Sequence, residues 1–193
     1  MEPISDASAS GRDEPVKYRT IVADPPWHVG AGPGWNSNGR SRKLEYPTMT
    51  FEDICALPVK DQWAAKEAHL YIWTINAYLE RTYDLARAWG FKPSTMLTWA
   101  KRPNGIGLGG TYSLTTEHIL FARRGTCKAL SRVDSTWWEW PRGRHSAKPD
   151  AFLDMVEQVS PGPRLEMFAR RARFGWDYWG NESLGTAQLG EAA

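Results

Sequence analysis

Thr20-Ile21-Val22-Ala23-Asp24-Pro25-Pro26-Trp27 is the stretch on which the fold of this chain turns. Three consecutive apolar residues follow Thr20 and predict a buried strand, because β-branched side chains suit a pleated core surface. The strand stops at an acid and two prolines, neither of which donates to a sheet ladder. Just past the strand's carboxyl end stand one carboxylate, backbone carbonyls stiffened by fixed φ angles, and an indole. Open α/β sheets place their ligands at that end. Acceptors for N–H bonds beside a flat apolar face suit a purine amino group. The plainer alternative is a strand running into an ordinary proline turn, and the rest of the chain decides between the two.

A chain of 193 residues with 41% apolar side chains fits one domain with a core of its own. Eleven tryptophans supply both core volume and flat stacking surfaces. The cysteines, Cys55 and Cys127, match no metal spacing and form no disulfide framework, as expected in a reducing cytoplasm. No apolar run is long enough for a membrane span and no signal-peptide pattern opens the chain, so a soluble, cytoplasmic protein with no membrane partner is expected. The net charge of +2 is unevenly spread, with −3 over residues 1–15 and +5 over the remainder. The positive charge gathers at Arg40-Ser41-Arg42-Lys43, Arg123-Arg124, Arg142-Gly143-Arg144 and Arg170-Arg171-Ala172-Arg173, as a phosphate backbone would require. Solvated loops are the alternative for any one cluster.

Residues 1–15 are polar and read as a disordered tail, and 183–193 as a flexible C-terminal one. Between them, 16–182 form the domain. Residues 28–46 are rich in glycine and hold Trp35 and the Arg40–Lys43 cluster, which predicts a lid that orders on a substrate. Thr50 and Asp53 form a capping box for a short helix carrying Ile54 and Leu57 and ending at Pro58. Ala68–Ile75 predicts a strand, and Asn76 a cap for a helix with Leu79, Tyr83 and Ala86 on one face, ended by Gly90. Strands follow over Thr95–Ala100 and about His118–Arg123, separated by a second glycine-rich loop, Pro103–Tyr112. Trp137-Trp138-Glu139-Trp140 reads either as a core strand or as a base-stacking edge. A helix from Pro149 carries Phe152, Met155, Val156 and Val159, and Pro161-Gly162-Pro163 breaks it. Strands over Arg164–Phe168 and Trp176–Gly180 close the pattern. Strands alternating with helices predict an α/β fold, a largely parallel sheet with helices on both faces.

Several segments, in order, resemble the adenine-N6 methyltransferase family typified by the seventy-kilodalton catalytic subunit of the messenger-RNA adenosine methyltransferase, the MTA-seventy family. They are Ala23-Asp24-Pro25-Pro26-Trp27, Tyr46-Pro47-Thr48-Met49, Leu70-Tyr71-Ile72-Trp73-Thr74, Glu117-His118, Lys148-Pro149-Asp150, Leu165-Glu166-Met167-Phe168-Ala169-Arg170, and Gly175-Trp176 with Trp179-Gly180-Asn181-Glu182. The resemblance spans roughly residues 18–182 and is nearest to the short bacterial and phage DNA methyltransferases. It implies a Rossmann-like fold in permuted order, catalytic motif first and cofactor strand last. It also implies S-adenosylmethionine as cofactor, with no metal.

Carried onto this chain, the resemblance makes Asp24, Pro25, Pro26 and Trp27 the catalytic corner. Asp24 and the Pro25 carbonyl would accept the hydrogens of the adenine amino group, and Trp27 would stack on the base. Tyr46 would close the pocket's other side. Lys148 would meet the methionine carboxylate, and Phe168, Arg170, Asn181 and Glu182 would hold the rest of the cofactor. Glu182 stands where the catalytic subunit has glutamine, and Phe168-Ala169-Arg170 lacks the family's glycine-rich turn. His69 and His118 read as satisfied structural histidines, whereas His28 and His145 lie in loops and stay open.

An adenine inside a duplex must be flipped out before its amino group can react. No separate recognition module is present, so target contacts fall to the two glycine-rich loops and to Arg142–Arg144. The candidates are Trp35, Arg40, Arg42, Lys43, Tyr46, Arg142 and Arg144. Such a footprint predicts a short recognition sequence and steep salt dependence. DNA is the favoured polymer, with RNA the alternative, and the chain is expected to act as a monomer or homodimer. A third reading is an inactive nucleic-acid-binding subunit that activates a partner, against which the intact Asp-Pro-Pro-Trp argues.

Overall fold

The computed structural model of the chain describes residues 15–28, 48–102, 111–141 and 147–180. Its strands are β1 (Tyr18–Ala23), β2 (Ala64–Thr74), β3 (Lys92–Arg102), β4 (Thr116–Arg124), β5 (Trp137–Pro141), β6 (Arg164–Met167) and β7 (Asp177–Trp179). The helices are α1 (Phe51–Cys55), α2 (Leu79–Ala88) and α3 (Asp150–Val159). The strands form one sheet in the order β5-β3-β4-β2-β1-β6-β7.

The opening stretch lies at the heart of that sheet. β1 pairs in parallel with β2 on one side and β6 on the other, with Ala23 opposite both Ile72 and Met167. A strand covered on both faces needs apolar side chains at successive positions. Ile21 and Ala23 accordingly join the cluster of Ile54, Leu70, Ile72, Leu85 and Trp89 under α1 and α2. Val22 points the other way, to Tyr71, Trp73, Phe152 and Val156 under α3. Helices therefore cover both faces, as expected of this α/β fold.

The sheet is mixed rather than uniformly parallel. β4 runs antiparallel to both β2 and β3, while β5 is parallel to β3. Residues 111–115, which lead into β4, are not helical, and an antiparallel neighbour needs no crossover helix. This one reversal brings the beginning of β4 to the carboxyl ends of β2 and β3, where Thr74 faces His118 and Trp99 faces Glu117.

Local signals hold well at several boundaries. Thr50 Oγ1 accepts from the Asp53 N–H at 3.1 Å and caps α1. Gly90 takes φ +80° after α2, and a Cβ there would approach Lys60 Cγ to 3.0 Å. Other details differ. β2 begins at Ala64, four residues before the expected start, and β3 extends to Lys92 and Arg102. Asn76 does not cap α2 but lies in a short 3₁₀ turn, Asn76–Tyr78, and the cap position is Tyr78 with no side-chain bond. The buried face of α2 is Thr82, Leu85 and Ala86, with Leu79 and Tyr83 only partly covered. Thr82 tolerates burial because its hydroxyl lies 2.7 Å from both Thr74 Oγ1 and the Tyr78 carbonyl.

The tryptophan run is an edge strand. Trp138 and Trp140 of β5 stack at 5.2 Å and 7° on its inward side, while Trp137 is 57% exposed.

Candidate functional site

Asp24, the first residue beyond β1, stands at the carboxyl end of the sheet. It lines a cavity of about 280 Å³, whose wall also includes Trp73, Lys148, Glu166, Phe168 and Arg170. Two proline carbonyls shape the corner beside it. The Pro25 oxygen accepts the Trp27 N–H at 2.8 Å, and the Pro26 oxygen accepts the Met49 N–H at 3.1 Å. A carbonyl has two lone pairs, so the Pro25 oxygen keeps one acceptor position.

A chain of alternating charges crosses the carboxyl end of the sheet and terminates at Asp24. Lys148, two residues before α3, places Nζ 3.1 Å from Asp24 Oδ1 and 2.9 Å from Glu117 Oε2. The other Glu117 oxygen lies 2.5 Å from Lys101 Nζ. Lys148 Nζ also sits 4.9 Å from the centre of the Trp73 ring. Burial opposes the Lys148 ammonium, but the Asp24 and Glu117 carboxylates outweigh it and hold the lysine above its ordinary pKa. Burial likewise opposes the Glu117 carboxylate, and Lys148 and Lys101 overcome it to keep this acid below its ordinary value. Glu166 behaves differently. Burial raises it, Arg171 offsets part of the effect and Asp24 adds to it, so its pKa is pushed up to about 7.

Trp27, expected to stack on a base, is 6% exposed, and its ring is stacked on Tyr78 at 4.7 Å and 23°. Its indole N–H donates to the Trp73 carbonyl at 3.2 Å. The residue buttresses the Asp24 corner from within the core, with this chain's own Tyr78 against one face of its ring.

Phe168 lies at the turn after β6 where the sequence lacks glycines. Its φ is nonetheless +61°, the left-handed conformation that glycine favours. The Phe168 N–H donates to the Trp179 carbonyl at 2.6 Å, which ties the turn to β7. Phe168 and Arg170 both line the cavity with Lys148, so three of the residues expected to hold a cofactor come together.

The arginine cluster that follows is used internally. Arg171 pairs with Asp150, and Arg173 reaches Asp154 at 2.6 Å and Glu157 at 2.7 Å, clamping the turn onto α3. Trp176 adds an indole N–H to the same Glu157 oxygen at 2.7 Å. His69 and His118 are satisfied, as expected. The His69 nitrogens lie 2.8 Å from Ser160 Oγ and 3.1 Å from the Cys127 carbonyl, and His118 Nδ1 lies 3.2 Å from Thr98 Oγ1. Trp35, Arg40, Arg42, Lys43, Tyr46, Arg142, Arg144, Asn181 and Glu182 lie outside the described residues. Sequence reading did not assign Lys101, Glu117, Trp73 or Glu166 to the site. Glu117 carried a signal within a family-like segment, whereas Lys101 reads only as the end of a strand.

The cavity suits a cofactor that carries its own charges. It offers a cation in Lys148, the Asp24 carboxylate, the Glu166 carboxyl group, and the aromatic walls of Trp73 and Phe168. Among the described residues no group of three or more His, Cys, Asp and Glu side chains could hold a metal ion.

Comparisons with known proteins bear on this site. The chain is 29% identical over 186 residues to the type II methyltransferase M.MunI of a Mycoplasma species, an alignment covering 86% of this chain and 78% of that protein. It is 27% identical over 186 residues to the putative N(6)-adenosine-methyltransferase MT-A70-like of Medicago truncatula, covering 91% of this chain and 28% of that one. Against the human N(6)-adenosine-methyltransferase catalytic subunit METTL3 it is 25% identical over 178 residues, covering 86% of this chain and 28% of the human protein. The chain thus spans most of the Mycoplasma protein but little more than a quarter of the plant and human ones. The MT-A70 family model matches residues 18–182, from the first residue of β1 to beyond β7, with the Asp24 corner and every cavity residue inside it, and the chain therefore belongs to the MT-A70 family of adenine-N6 methyltransferases.

Proposed function

We propose that the protein transfers a methyl group from S-adenosylmethionine to the 6-amino group of adenine in DNA. The observation that carries the reading is Asp24, fixed by Lys148 at the cavity wall and followed in the chain by Pro25, whose carbonyl keeps one acceptor position. An adenine amino nitrogen is a poor nucleophile because its lone pair is delocalised into the ring. With Asp24 accepting one N–H and Pro25 the other, the nitrogen becomes tetrahedral and its lone pair is freed for attack. S-adenosylmethionine, when bound, supplies the methyl as an electrophilic sulfonium carbon. Asp24 receives the proton that the nitrogen gives up. Positioning and electrostatics account for the acceleration, without a covalent enzyme intermediate. Lys148, Phe168 and Arg170 are the described residues that would hold the cofactor.

DNA is favoured over RNA by a relative most of whose length this chain covers. The chain covers 78% of a type II methyltransferase and 28% of the adenosine methyltransferases of plant and human. Those adenosine methyltransferases support RNA as the second reading. Trp35, Arg40, Arg42, Lys43, Tyr46, Arg142 and Arg144 are the proposed nucleic-acid contacts, with Asn181 and Glu182 added on the cofactor side. The protein would act as a monomer or homodimer.

The test is methyl transfer from labelled S-adenosylmethionine to matched DNA and RNA, each single- and double-stranded, with Asp24→Ala in parallel. Incorporation into DNA that Asp24→Ala abolishes is the expected result. Incorporation into RNA alone would replace the polymer, and transfer that survives Asp24→Ala would overturn the mechanism.

A further inference from the structure

Lys101 lies near the end of β3 and does not line the cavity. Its ammonium nevertheless sits 2.5 Å from Glu117 Oε1, while Glu117 Oε2 lies 2.9 Å from Lys148 and Lys148 lies 3.1 Å from Asp24. All four side chains are between 16% and 25% exposed. Lys148 is shared by two carboxylates, and its division between them depends on how well each is satisfied elsewhere. Glu117 has given its second oxygen to Lys101, which leaves Lys148 free to hold Asp24. Without Lys101, Glu117 and Asp24 would compete for the single Lys148 ammonium in a half-buried site, where attraction is stronger than in water. Glu117 would draw Lys148 to itself, and the Asp24 carboxylate would lose the contact that orients it.

We propose that Lys101 is a positioning residue for methyl transfer, keeping Lys148 on Asp24 by satisfying Glu117. The inference rests on the adenine methyltransferase reading above and adds to it a residue that touches neither substrate nor cofactor.

The experiment compares K101M and K101R with the parent protein, using labelled S-adenosylmethionine and an adenine-containing DNA duplex. A misplacement of about 1 Å is enough to slow a positioned reaction a hundredfold, so K101M is expected to lower kcat by about ten- to a hundredfold. KM for the DNA should stay within about twofold, because no contact with it is removed. K101R returns the charge and should restore most of kcat. A crystal structure of K101M should show Lys148 Nζ beyond hydrogen-bond reach of Asp24 Oδ1. K101Q gives the same readings should K101M not yield folded protein. Parental kcat in K101M, a loss confined to KM, or a retained Lys148–Asp24 contact would each overturn the proposal. If the parent methylates neither DNA nor RNA, the functional reading fails, and the crystal structure of the variant still decides whether Lys101 governs Lys148.

Discussion

Lys148 Nζ lies 3.1 Å from Asp24 Oδ1, so the acid of the Asp-Pro-Pro-Trp corner is held by a lysine distant in sequence, just ahead of α3. The same ammonium serves Glu117. Removing it leaves two carboxylates facing each other across a half-buried site. Lys148→Met is expected to reduce methyl transfer by about a hundredfold or more, since both the orientation of Asp24 and a cation of the cavity are lost. It should also cost roughly 1–3 kcal/mol of stability, less than for a fully buried pair because these groups keep some solvent. Lys148→Arg should recover the stability better than the activity, because a planar fork does not reproduce a point ammonium between two acids. Rates and denaturant midpoints of the two variants check this, and unchanged transfer in Lys148→Met would remove the lysine from the site.

Trp27 separates a core role from a stacking role. Its indole is stacked on Tyr78 and bonded to the Trp73 carbonyl. Trp27→Ala should therefore destabilise the fold by about 3–5 kcal/mol, in the range of large aromatic deletions. Trp27→Phe keeps the ring stack, loses only the indole bond, and should leave nucleic-acid affinity within about twofold of the parent. Equilibrium unfolding and binding isotherms read the two effects apart. A tenfold loss of affinity in a fully folded Trp27→Phe would return the residue to base stacking.

What could be read from the sequence follows the range of the forces involved. Ile21-Val22-Ala23 marks a central strand because burial on both faces leaves no polar position, and the structure divides those residues between two cores. The Thr50–Asp53 cap and the Phe152–Val156 face of α3 are equally local and equally legible. Lys101 is different. It matters only because β4 runs backwards and sets Glu117 beside it, and strand direction has no signature within a strand. The Trp27–Tyr78 stack is hidden for a related reason, since Tyr78 arrives from the entry to α2. The turn at Phe168 hides because a non-glycine residue adopts the conformation for which a glycine would have been the signal.

That conformation yields its own prediction. At φ +61° Phe168 bears a left-handed strain of about 1–2 kcal/mol that any residue with a Cβ shares. Phe168→Ala retains the strain, whereas Phe168→Gly relieves it and gives back part of the gain as entropy of the unfolded chain. The glycine variant should be the more stable of the two by about 1 kcal/mol. Both should bind S-adenosylmethionine more weakly than the parent, because both remove the same aromatic wall of the cavity. Thermal unfolding and calorimetric titration measure these quantities, and an alanine variant as stable as the glycine one would show that the turn relaxes on substitution.

Glu166 should make stability depend on pH in the direction opposite to most carboxylates. Its pKa is pushed up from 4.5 to about 7, chiefly by burial. Between those two values the folded chain holds a proton that the unfolded chain has released. Stability attributable to this group therefore falls as pH rises through the window, with nothing lost below 4.5 and a full cost on the order of 3 kcal/mol above 7. His69 and His118 act the other way over part of the range. Burial lowers both below 6.5, so the unfolded state takes up their protons first and acid destabilises the fold. Comparing the parent with Glu166→Gln cancels the histidines and isolates the acid. The glutamine variant should gain stability relative to the parent steadily from about pH 4.5 to pH 7 and no further beyond it, as read by urea unfolding at closely spaced pH values. A difference that stays constant across the window would mean that the Glu166 carboxyl keeps an ordinary pKa at the cavity wall.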